Sequence, residues 1–239
     1  MTDNFRSTPP WKIIDIIIIL VALNLFGFAY ELFGGNLYLK LVDILPAFPD
    51  TDLGEFFFGG ALQALVLVCL VLVFVFKRKA GWTSLGLGKT PIWPVFRDGF
   101  GGGALLFGLV LTAVALINLL SPQPVKPQPF AEIVLQAKNL NELIVPLIMG
   151  SVFAPISEEL YFRGFVYPVF RGYWGIPIAI AISSLFFASL HFDLIRLLPI
   201  ALGGAGLAWL YEKNGSIYTP IIAHSVWNTL MTLLIFSGS

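Results

Sequence analysis

The chain has 239 residues, of which 57% are hydrophobic and only 12% charged, with fourteen Lys+Arg balanced by fourteen Asp+Glu. A soluble domain carries about 25% charged residues, because polar groups must cover its surface. Half that charge, with a mean hydropathy of +0.86, implies that lipid covers much of this molecule. Disorder and nucleic-acid binding are excluded: the chain is too apolar for the first, and zero net charge offers no bulk attraction to a polyanion. The lone Cys69 can form no intrachain disulfide.

A bilayer core takes about 20 apolar residues per helix, and seven runs of roughly that order follow one another. They are Ile13 to Leu32, Phe56 to Phe76, Gly99 to Leu120, Leu143 to Phe165, Ile176 to Leu190, Leu197 to Tyr211 and Ile217 to Phe236. The expected fold is an all-α polytopic bundle of about seven helices, between six and eight. The fifth and sixth runs are short and joined only by His191 to Arg196, which predicts a tight hairpin that does not fully cross. No small-residue cleavage motif follows the first run, so the first helix is expected to be retained.

Lys and Arg set the orientation. With the N-terminus cytoplasmic, the inner set is Arg6, Lys12, Lys77, Arg78, Lys79, Lys89, Arg97, Arg163, Arg171 and Lys213. The outer set is Lys40, Lys126, Lys138 and Arg196. The acidic segment from Gly34 to Glu55 is then an outer loop. The proline-rich start of Ser121 to Leu140 reads as a stiff connector followed by a short surface helix. Three parts result: an N-terminal three-helix part over 1–120, the connector over 121–142 and a catalytic core over 143–236. The first three helices offer no candidate chemistry.

The chemistry collects in three places. Glu158 and Glu159 are adjacent carboxylates, placed by the run Leu143 to Phe165 near its inner end, and an acid inside a membrane is a functional candidate by default. Glu159 and Arg163 are i,i+4 neighbours and can pair, whereas Glu158 lies 100° round the helix without a local cation. The competing reading is a salt-bridge cluster of both acids with Arg163 and Arg171. His191 closes the fifth run, and His224 and Asn228 share one face of the last helix. A carboxylate and a histidine can deprotonate a shared water, and a second histidine with an asparagine can donate to an oxyanion; together these hydrolyse an amide. The same Glu158, His191 and His224 are also a donor set for a zinc ion, although no HExxH is present. No serine sits in a GxSxG context.

These residues resemble a known family. EELYFR fits EExxxR, FASLH (Phe187 to His191) fits FxxxH, and HSVWN fits HxxxN of the CPBP family, the CAAX-protease and bacteriocin-processing (Abi) intramembrane endopeptidases, in the family's order. The segment Trp82 to Leu87 looks like the short turn such proteins carry after the second helix. The resemblance implies that Glu158 and His191 activate water and that His224 and Asn228 form the oxyanion site. It makes Glu159, Arg163 and Phe187 supporting residues. It implies a hydrolase of the protease class without a cofactor, a divalent metal such as zinc being the alternative, that cuts a membrane-associated protein or peptide near the inner face. The rival expectation is a non-proteolytic membrane scaffold or assembly factor on the same fold, partnered by other membrane proteins. Nucleic acid is not an expected partner.

Overall fold

The computed structural model describes residues 8–45, 51–120 and 126–238. Arg6, Asp50 and the first residues of the proline-rich connector lie outside these. Among the described residues every regular element is helical: α1 (Ile13–Ile44), α2 (Asp52–Lys77), α3 (Ile92–Leu120), α4 (Pro129–Gln136), α5 (Leu140–Ile148), α6 (Ala154–Glu159), α7 (Tyr167–Ser189), α8 (Leu197–Asn214) and α9 (Tyr218–Ser237). Among the described residues five helical stretches are long and apolar enough to cross a membrane, the fourth running from Leu140 to Ser189. Large apolar side chains such as Phe33, Leu105 and Leu119 remain exposed on them, a surface that water would not tolerate and lipid requires. The protein is a multi-pass membrane bundle.

Two expected boundaries move. The first helix does not stop at Leu32 but continues through Gly34 and Gly35 to Ile44, so most of the expected outer loop is helical. Paired glycines cost a helix interior about 1 kcal/mol each, but here the missing side chains admit a ring. A Cβ on Gly34 would lie 2.7 Å from the Tyr30 ring, and one on Gly59 would lie 2.8 Å from its hydroxyl. Tyr30 and Tyr38 then pack on Phe58 of α2 and hold the two helices together.

The fourth run is also longer than its apolar letters. Helix continues from 140 to 174 through two π-helical turns, Met149–Phe153 and Leu160–Val166, and breaks at Gly175, whose φ of +76° with ψ of 173° suits only glycine. The segment 176–189 turns back, so that Phe162 meets Phe186 and Phe187 edge-on. Glu158 therefore sits midway along its helix rather than near one end.

The segment 176–189 and α8 pack together and bury Ala179, Ala188, Ala201 and Ala208, while α3 packs on both α8 and α9. At the N-terminal end the Trp11 indole donates to the Phe165 carbonyl (2.8 Å) and stacks on that ring. Arg78 pairs there with Asp15 at 2.7 Å. In the Trp82 to Leu87 segment Trp82–Leu85 form a 3₁₀ helix, and the Gly86 carbonyl after it accepts from the Ile217 N–H.

Candidate active site

A π-turn creates the first special position. In Met149–Phe153 the Ala154 N–H donates to the Met149 carbonyl, five residues back. The next bond in that register would join residue 155 to the Gly150 carbonyl, but residue 155 is proline and has no N–H. The Asn228 side-chain amide supplies the missing donor at 2.7 Å. A helix with proline in the membrane is tolerated when a neighbour satisfies the freed carbonyl in this way.

The second feature is a buried ionic knot. Glu159, Arg163 and His224 are 0%, 2% and 3% exposed. Arg163 Nη1 donates to Glu159 Oε1 at 2.7 Å, and His224 Nδ1 reaches the same oxygen at 2.7 Å. Arg163 Nη2 donates to the Gly204 carbonyl, and its guanidinium lies 4.7 Å from the centre of the Phe187 ring. Glu159 Oε2 is buried without a donor, so the carboxylate depends on its single well-satisfied oxygen. With that oxygen accepting from Nδ1–H, the Nε2 of His224 donates only when the ring is doubly protonated.

The third feature is a cavity of about 670 Å³ beside this knot, large enough for several residues of a peptide. Half-buried Glu158 and exposed His191 both line it. The His191 Nδ1 lies 3.0 Å from the Phe187 carbonyl. A carbonyl can only accept, so Nδ1 carries the proton and Nε2 of the neutral ring holds a lone pair. Phe187 touches both histidines, with ring centres 4.9 Å from His191 and 6.0 Å from His224. Beyond the membrane segments, Asp193 anchors the turn after His191. Burial pushes its carboxyl upward, but the Arg196 guanidinium, the Arg196 backbone N–H and Gln128 outweigh that and hold it below the usual range.

Thus Glu158, His191 and Phe187 meet at one cavity, whereas Glu159, Arg163, His224 and Asn228 stand behind its wall. The i,i+4 pair on α9 serves two separate groups, Glu159 and Gly150. Of the four residues in the competing salt-bridge reading, Glu159 pairs with Arg163 at 2.7 Å while Arg171 bonds Glu212 at 3.0 Å. Among the described residues no three His, Cys, Asp or Glu side chains are grouped so that they could hold a metal ion, so the Glu158, His191 and His224 set does not fit zinc as it stands. Sequence reasoning also missed that α1 and α2 contribute to the site: Asn24, Glu31 and Gln63 line the same cavity. The signal was there, as three polar residues in apolar runs. The lining comes from the middle of the bundle and from the half away from the N-terminus, with Phe130 of α4 against Gly150, so with a cytoplasmic N-terminus the cavity lies toward the outer side and not near the inner face that the sequence led to expect.

With this geometry in view, comparison with known proteins places the motifs. Residues 140–230 match the family described as type II CAAX prenyl endopeptidase Rce1-like. The matched residues contain all three motifs. The chain is similar to "Putative membrane peptidase YdiL" of Bacillus subtilis, 35% identical over 92 residues, which are 38% of each chain; the match thus spans well under half of that relative. It is also similar to an "Uncharacterized 24.3 kDa protein" of Escherichia coli, 26% identical over 179 residues, 73% of this chain and 78% of the relative. No solved structure matches.

Proposed function

We propose that this chain is an intramembrane endopeptidase that hydrolyses a peptide bond in a membrane-associated protein or peptide. The observation that carries the reading is that Glu158 and His191 line one cavity, with the His191 tautomer fixed by the Phe187 carbonyl. A water between them loses a proton to this pair as its oxygen attacks the scissile carbonyl carbon. The C–N bond then breaks, and the same proton passes to the leaving amine. His224 and Asn228 are proposed as oxyanion donors, a role that would use the second amide N–H of Asn228 and the Nε2–H of a protonated His224 and that requires both to gain access to the cavity from behind its wall. The chemistry is proposed to need no metal. A cytoplasmic N-terminus is also proposed, supported by the Lys-Arg-Lys cluster at 77–79 on the N-terminal end of the bundle.

A scaffold would keep the Glu159–Arg163–His224 knot but has no use for a half-buried carboxylate on the same cavity as an exposed histidine. The test is turnover of a quenched fluorogenic peptide by the purified chain in lipid. Glu158→Gln should lose about 10² to 10⁴ in rate with unchanged melting. Retained cleavage with lowered melting in that variant would overturn the reading.

A further inference from the structure

The helices α1 and α2 line the same cavity as Glu158 and His191 and bring three polar side chains to it, Asn24, Glu31 and Gln63, from runs that are otherwise apolar. Asn24 spends its amide on the Leu20 carbonyl within its own helix. Glu31 and Gln63 are exposed to the cavity, and neither has a protein partner among the described residues. An acid on such a helix is costly unless it meets a partner or an aqueous cavity.

Among the described residues the cavity lining contains two carboxylates, Glu31 and Glu158, and no Lys or Arg. Charge around its mouth has the same sign. At that end of the bundle the described residues include seven acids, Glu31, Asp43, Asp52, Glu55, Glu132, Glu142 and Asp193, against four bases, Lys40, Lys126, Lys138 and Arg196. Arg196 is already held by Asp193 at 2.6 Å. The opposite end carries Lys12, Lys77, Arg78, Lys79, Lys89, Arg97, Arg171 and Lys213 against Asp15, Asp98 and Glu212. A cationic segment is attracted to the mouth and repelled by the other end.

We propose that Glu31 forms a substrate subsite, in the same cavity as the water-activating pair, that receives a Lys or Arg side chain of an apolar peptide, with Gln63 hydrogen-bonding the peptide backbone beside it. This rests on the protease reading of the same cavity and names the substrate class: a membrane-associated peptide with a basic residue near the cut. Gln63 suits the second role because its amide both donates and accepts, as an extended peptide requires.

The test is binding, so that it does not depend on turnover. Two fluorescent apolar peptides of equal length, one with a central Lys and one with norleucine there, are titrated against full-length Glu158→Gln protein in nanodiscs. The Lys peptide should bind about fivefold more tightly, the upper end for an exposed ion pair, and added salt should shrink the difference. Adding Glu31→Gln should abolish the preference, and Glu31→Lys should reverse it. Equal affinities, or no binding of either peptide, would overturn the subsite. A preference that tracks residue 31 while the unmodified chain cleaves neither peptide would sustain the subsite and overturn the protease reading.

Discussion

Replacing Arg163 by alanine removes the cation that neutralises a carboxylate with no exposure at all. Three contacts go with it: the 2.7 Å bond to Glu159, the bond to the Gly204 carbonyl, and the guanidinium over Phe187. Counted only as intramembrane hydrogen bonds, the first two would be worth about 0.6 kcal/mol each. The larger effect is the charge left behind: breaking a buried pair by removing one partner costs about 3 to 5 kcal/mol, and Glu159 Oε2 has no donor to compensate. His224 alone must then carry the carboxylate. A cycle of Arg163→Ala, Glu159→Gln and the double variant, measured by unfolding in mixed micelles, separates the two accounts. Arg163→Ala should lose about 3 kcal/mol or more, and the double variant should lose less than that single change, because no unpaired charge remains. A loss below about 1 kcal/mol, or a double variant equal to the sum of the singles, would refute the picture of a charge-neutral buried knot.

Asn228→Ala leaves the Gly150 carbonyl without a donor and should lower stability by roughly 0.6 kcal/mol; if Asn228 is also an oxyanion donor, turnover should fall about 10²- to 10³-fold. With His224→Ala added, stability losses should add because the partners differ, whereas turnover losses should not add if both serve one oxyanion; normal turnover in Asn228→Ala would assign it to positioning alone. Cleavage should survive treatment with a chelator and gain nothing from zinc, and loss with recovery on zinc would return Glu158, His191 and His224 to the ligand list. In a Cys69→Ser background, an impermeant thiol reagent applied to intact cells should label a cysteine at 126 and spare one at 79; the opposite pattern would reverse the orientation.

The helical architecture was legible because lipid demands long apolar runs, and all seven runs have a helical counterpart. The i,i+4 pairing of Glu159 with Arg163 was legible for the same local reason, as was the separation of Glu158 from that pair. Apolar letters, however, mark lipid contact rather than helix length. The continuation of α1 to Ile44 goes with a Tyr30 ring seated against Gly34 and against Gly59 of α2, and the position of Glu158 midway along its helix depends on where Gly175 ends that helix.

The sequence by itself determined a membrane-embedded helix bundle with carboxylate, histidine and asparagine on its C-terminal helices, because hydropathy and helical phase are local properties of the chain. Which of those groups share a cavity is a matter of packing between distant segments. Only the tertiary structure put Glu158 and His191 on one cavity and drew His224 to Glu159. It also matched Asn228 to the one carbonyl that Pro155 leaves without a donor. Only it turned Asn24, Glu31 and Gln63 toward the same space, since a polar residue on one apolar helix acquires a role when the facing helices decide whether it meets lipid or the site.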